Sequence, residues 1–223
     1  PGLRQMSAIV PTLRNYGDNA VLIEWATSGF DAQVSDQVHA LAGQLRKTPF
    51  LSEVMPGYDS LVVSFDAAAQ SLAAVTAHVE HALHSGGSSD ADTQSRLVDI
   101  PVSYGGEAGP DLVALAETIG KTPADVITLH SDPEYRVCMM GFIPGFAFLS
   151  AVNPLLQHLR HATPRALVPA GSVGIANWQT GIYGLDSPGG WQIIVRTSVT
   201  MFDAARDDPF YVEAGDRIRF VPQ

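Results

Sequence analysis

The sequence predicts two domains, a small α+β domain followed by a β-barrel with short helical insertions. Three observations carry this. Residues up to His84 read as strand, strand, helix, strand, strand, helix, with apolar residues alternating in the strands and recurring every three or four positions in the helices. The run HSGGSSDADTQS, His84 to Ser95, lacks apolar periodicity and is rich in Gly, Ser and Asp, the composition of a linker. From Glu134 onward, short β-branched runs are separated by Pro and Gly turns. The boundaries drawn are 1–88 for the first domain, 89–95 for the linker and 96–223 for the barrel.

The elements follow in order. A strand is expected at Ile9 to Leu13 and a second at Ala20 to Trp25. Val34, Val38, Leu41 and Leu45 mark one face of a helix that ends before Pro49, with Asp31 or Ser35 as its cap. Leu51 to Met55 and Leu61 to Phe65 form a hairpin through the turn-prone Pro56, Gly57, Tyr58 and Asp59. Leu72, Val75, Val79 and Leu83 place a second helix over about 68–84. The two helices then cover one face of a small antiparallel sheet.

Beyond the linker, Arg96 to Val102 alternates as a strand. Pro110 and Asp111 start a helix that Gly120 stops. Thr122 and Pro123 read as the cap and first position of another helix reaching His130, with Asp125 near its free amides. Asp216 to Val221 is the last strand.

Composition bounds the function. With 223 residues, 46% of them hydrophobic, the chain buries a sizeable core. Thirteen Lys and Arg against 23 Asp and Glu give a formal charge of −10, which argues against non-specific binding of nucleic acid or anionic membrane. Cys138 is the sole cysteine, so neither an intrachain disulfide nor a four-cysteine zinc site is possible. No apolar run has the length of a membrane span, and PGLRQMSAIV lacks the features of a secretory signal. A cytoplasmic location is expected, with Met6 either an internal start or part of a trimmed end.

The segment from Thr163 to Thr197 is the most informative for function. Gly171, Gly174, Gly181, Gly184, Gly189 and Gly190 are interleaved there with the hydrogen-bonding side chains of Arg165, Ser172, Gln179, Thr180 and Tyr183. Such a wall suits a planar or carboxylate-bearing molecule; the alternative is that the glycines only turn the corners of a tight barrel. Arg165 is the candidate clamp for a carboxylate or phosphate, and pairing with Asp186 or another acid is its structural alternative. The apolar run from Met139 to Leu149, broken by Gly and Pro, is either a core plug or a partner surface, with Met140, Phe142, Pro144 and Phe146 as interface candidates.

Other motifs carry less. TIGKT, Thr118 to Thr122, ends like a phosphate-binding loop, but Leu115 stands where the first glycine belongs, inside an expected helix. His78, His81 and His84 drift around one helix and cannot all share a face, so no metal is predicted. His158 and His161 border a turn-rich segment, and His130 precedes the turn Ser131, Asp132, Pro133. No residue is an evident nucleophile, and the catalytic residues stay unassigned.

GFIPGFAFL, TPRALVPAGSVGIANWQTGIYGLDSPGGWQIIVRT and DPFYVEAGDRIRFVPQ closely resemble the subunit 1 family of allophanate hydrolase. Members of that family also occur as the B subunit of bacterial 5-oxoprolinase and as an inhibitor of a sporulation histidine kinase. The resemblance extends to YGGEAGPDL, HSDPEY, GDNAVLIEW and VMPGYDSLVVSFD. It departs at Ile143, Ala147 and the pair Asn177 and Trp178.

The resemblance implies an N-terminal ferredoxin-like α/β domain followed by a C-terminal cyclophilin-like β-barrel, a label for fold and not for proline isomerisation. It implies work beside a homologous second subunit, either the C subunit of 5-oxoprolinase or subunit 2 of allophanate hydrolase. The A subunit of 5-oxoprolinase is a further implied partner, with ATP used through the assembled complex. Opening of 5-oxoproline to L-glutamate is the leading expectation. Alternatives are inhibition of a histidine kinase and a carboxyltransferase or hydrolase acting on urea or allophanate.

Overall fold

The computed structural model describes residues 9–85 and 95–223. The expected linker, apart from Ser95, and Met6 lie outside the described residues. The chain divides into two compact units, Pro1–Gln94 and Ser95–Gln223.

The first unit runs β1 (Thr12–Asn15), β2 (Ala20–Glu24), α1 (Ala32–Leu45), β3 (Leu51–Pro56), β4 (Ser60–Phe65) and α2 (Leu72–His84). Its sheet has the order β1-β2-β4-β3 with every pair antiparallel. Alternation decides which face is covered: Leu61, Val63 and Phe65 are buried with Val38, Leu45, Val75 and Val79 of the helices. The first strand starts later than Ile9, because Pro11 has no N–H to give to a ladder. α2 also starts later than residue 68. Asp66 Oδ1 takes the Ala68 amide at 2.9 Å in a preceding turn, and Ser71 is the cap, accepting from the Ala74 amide at 3.2 Å.

Asp31 caps α1, its Oδ1 accepting from the amides of Gln33 and Val34 at 2.9 and 3.1 Å. Asp31→Ala is expected to cost about 1 kcal/mol of stability in the first unit, read as a lower urea midpoint at unchanged slope. An unchanged midpoint would show that the cap contributes nothing.

The second unit is built on β5 (Leu97–Tyr104), α3 (Leu112–Thr118), α4 (Pro123–Ser131), β6 (Tyr135–Met140), β7 (Ala147–Ala151), β8 (Arg165–Val168), β9 (Ser172–Ala176), β10 (Gln179–Ile182), β11 (Ser187–Gly189), β12 (Gln192–Thr197) and β13 (Arg217–Pro222). Seven strands close a barrel in the order β10-β7-β6-β13-β5-β12-β9, while β8 and β11 form a separate two-stranded ribbon. The β5–β13 pair is parallel. Closure removes the exposed edges that isolated strands would present.

Ile100, Val137, Leu149, Val173, Ile175, Val195 and Ile218 belong to the main core of this unit. Phe146, Val168, Ala176, Tyr183, Trp191 and Ile193 form a second, smaller cluster. α4 carries a full capping box: Thr122 Oγ1 accepts from the Asp125 amide, and Asp125 accepts from the Thr122 amide.

Candidate functional site

Among the side chains of the Thr163 to Thr197 segment and its neighbours, the best-connected group surrounds Asp111. This residue precedes α3 but makes no side-chain cap there. Its carboxylate instead accepts from Arg165 Nη1 and Nη2 at 2.9 and 2.6 Å, from the Ile193 amide at 2.6 Å and from His161 Nε2 at 3.2 Å. The Asp111 side chain is 8% exposed and that of Arg165 33%. Burial pushes the Asp111 carboxyl up, but the bonds from Arg165, the Ile193 amide and His161 more than offset this and hold it below the usual carboxylate range. Arg165 is therefore an anchor for the ribbon β8–β11, paired with Asp111 and not with Asp186. The Asp186 carboxylate accepts from the Ala170 amide instead, at 2.8 Å.

Beside this knot the aromatic cluster is tightly interlocked. The Phe146 ring lies 4.9 Å from Tyr183 and 5.5 Å from Trp191, each edge to face. A side chain at Gly189 would collide with the Tyr183 hydroxyl, so only glycine lets the ribbon lie over that ring. Burial pushes the Tyr183 phenol up to about 12, with Arg160 and Arg165 pulling the other way.

The predicted site residues separate accordingly. Thr180 faces the barrel interior, its hydroxyl donating to the Gly174 carbonyl at 3.0 Å with His130 Nε2 at 3.2 Å. Ser172 is buried, and Gln179 is half-buried where β10 begins. Only Arg165 and Tyr183 reach the ribbon. The glycines mostly admit the chain's own neighbours: a side chain at Gly171, at φ 78°, would strike the Thr197 carbonyl. At Gly171, Gly174, Gly181 and Gly184 the alternative reading holds: the missing side chain makes room for the chain's own neighbours. Tyr183 and Trp191 are buried beneath the ribbon in the smaller core cluster.

The apolar loop divides in the same way. Phe146 is buried as a core plug, and Met140 is half-buried against the barrel core. Phe142 is 66% exposed at φ 66°, a left-handed conformation costly for an aromatic residue, and Pro144 is exposed beside it.

His130 is fully buried. Because Thr180 donates to Gly174, its hydroxyl oxygen accepts from His130 Nε2–H, which leaves Nδ1 to accept from the Tyr104 hydroxyl at 2.7 Å. Burial pushes this histidine down to about 3. It is a neutral structural residue. His78 bonds Thr48 Oγ1 at 3.0 Å and His84 Nδ1 the Glu80 carbonyl at 2.7 Å; no metal-binding cluster occurs among the described residues. No helix among them is long and apolar enough to cross a membrane.

Asp111 was not among the expected site residues. Asp111 looks like a helix start, and its partners lie 54 and 82 positions away, so spacing alone held no signal.

Residues 11–212 match the family described as carboxyltransferase domain, subdomain C and D. The chain belongs to this family. A carboxyltransferase-domain relative, the 5-oxoprolinase B subunit of Bacillus subtilis, is 37% identical over 225 residues, covering 94% of this chain and 91% of the relative. The 5-oxoprolinase B subunit of Escherichia coli O157:H7 is 51% identical over 132 residues, 59% of this chain and 61% of that one. The crystal structure of TTHA0988 superposes with a TM-score of 0.78 at 34% identity, over 92% of this chain but 40% of TTHA0988. The carboxyltransferase-domain chain therefore spans less than half of that solved protein, and the match to the E. coli relative spans less than two thirds of it.

Proposed function

We propose that the chain is the B-type subunit of an ATP-dependent 5-oxoprolinase, opening 5-oxoproline to L-glutamate with a homologous C subunit and a separate A subunit. The observation that carries this reading is the near end-to-end likeness to a 5-oxoprolinase B subunit. Chemically, water must add to the lactam carbonyl while the ring C–N bond breaks and its nitrogen takes a proton. An unstrained amide resists this, so coupling to ATP supplies the drive. This chain contributes donors rather than a nucleophile with its base: Cys138 is buried in the barrel wall. TIGKT does not fit a phosphate cradle, since Thr118 closes α3 and Leu115 is packed in the core, so nucleotide contacts fall to the other subunits.

We further read the first unit as ferredoxin-like, the barrel as cyclophilin-like and the assembly as cytoplasmic. Exposed Phe142 and Pro144 are the proposed contact with the C subunit. The carboxyltransferase description of the family favours a second reading, transfer of a carboxyl group to a urea-type amide from biotin carried on another protein.

The test is ATP hydrolysis by the reconstituted three-protein system. Phosphate release that requires 5-oxoproline supports the first reading; allophanate formed from urea and carboxybiotin, with no phosphate release on adding 5-oxoproline, supports the second and overturns the first.

A further inference from the structure

We infer that the cleft between α1, α2 and the chain entering β1 binds a small apolar amine, with Glu80 as the residue that accepts its ammonium group. The cleft lies wholly within the first unit, and the inference does not rest on the 5-oxoprolinase reading.

The sequence of the two helices shapes this cleft. On α1, Gln37, Ala40, Leu41 and Gln44 recur at three- and four-residue spacing and so share one face. Ala40 adds no bulk between the two amides. β1 is the edge of its sheet, and Leu13 with the preceding Ile9 packs against the core of the unit from that side. The cleft left between these elements has a volume of about 720 Å³, within the range of small-molecule sites. Its lining is mostly apolar: Trp25 and Leu41 are buried, and Ile9, Leu13 and Leu83 are half-buried.

The polar groups of the lining set the charge of the ligand. Glu80 is the only side chain of fixed charge among the described lining residues, and it forms no ion pair among the described residues. One turn further along α2, His84 Nδ1 lies 2.7 Å from the Glu80 carbonyl oxygen, so Nδ1 carries the proton and Nε2 of the neutral ring is an acceptor. The Trp25 indole N–H is already given to Gln37 Oε1 at 2.9 Å. Acceptors therefore prevail. An anion meets no lysine or arginine among the described lining residues, and a neutral apolar molecule leaves the Glu80 carboxylate unanswered. An ammonium group on an apolar body satisfies both the walls and the acid. An exposed helix glutamate is ordinarily a solvated charge, but beside a filled cleft the ligand's own body excludes part of that water and strengthens the pair.

The probe is 4-phenylbutylamine, compared with 4-phenylbutanol and 4-phenylbutanoate, titrated into the full chain and followed by ligand-observed NMR. The amine is expected to bind about fivefold tighter than the alcohol and more than about tenfold tighter than the carboxylate. Glu80→Gln replaces an exposed residue and keeps the fold. It should bring the amine to within about twofold of the alcohol, and about 0.5 M salt should do the same to wild type. Ala40→Trp fills the cleft and should weaken the amine and the alcohol at least about tenfold, with circular dichroism confirming that the helices persist. Equal binding of the three probes, an amine preference that survives Glu80→Gln, or binding that Ala40→Trp leaves unchanged would overturn the inference. A dimer that Ala40→Trp breaks and the amine does not displace would assign the cleft to a second copy and overturn it as well. So would amine binding that appears only once residues 1–8 are removed.

Discussion

Asp111→Ala is expected to destabilise the barrel unit by about 2–3 kcal/mol, the largest single-residue loss outside the apolar core. The change strands the buried Ile193 amide and leaves the Arg165 guanidinium without its bidentate acceptor. Complete burial of both ions would give a larger penalty, but the arginine side chain keeps a third of its surface in water and is partly screened. Urea unfolding measures the loss, and hydrogen exchange localises it, since the amides of β12 should be deprotected first. Arg165→Met added to Asp111→Ala should recover part of the stability, because the unpaired cation is then gone. A loss below about 0.5 kcal/mol for the single variant would mean that the ribbon is held by something else.

The second large effect is a pH dependence seated in the barrel interior. The His130 pKa is about 3 in the folded chain, below its ordinary value of 6.5 in the unfolded one. Below 6.5 the unfolded chain therefore binds a proton that the folded chain refuses. Stability is complete above pH 6.5 and falls as the pH is lowered toward 3, by about 1.4 kcal/mol per unit through the middle of that window. Between pH 7 and 5 the expected loss is about 2 kcal/mol, before most carboxylates titrate. His130→Gln offers an uncharged donor and acceptor to Thr180 and Tyr104, and should flatten the slope even if it lowers stability overall. Equal slopes for wild type and variant would contradict the assignment.

Local chemistry was legible from the sequence where neighbours within a turn decide the outcome. Thr122, Pro123 and Asp125 specify the start of α4, and Asp31 with the apolar stripe of Val34 to Leu45 specifies α1. A barrel follows from short β-branched runs between Gly and Pro turns, as expected, but its seven strands and their order were not legible. The ribbon β8–β11 and its anchor were not legible, because the bond from Arg165 to Asp111 depends on tertiary placement across the barrel. For the same reason, glycines that admit a neighbouring carbonyl look like glycines that admit a ligand, and only the packing at Gly171 and Gly189 separates the two. Phe142 and Phe146, four positions apart in one apolar run, have opposite fates: one faces solvent and the other is buried beside Tyr183 and Trp191.

The most direct test is glutamate formed from 5-oxoproline and ATP, measured for the chain alone, for the A and C subunits without it, and for all three together. The account predicts product only from the complete set. Turnover by the isolated chain, or equal turnover when it is omitted, would contradict it.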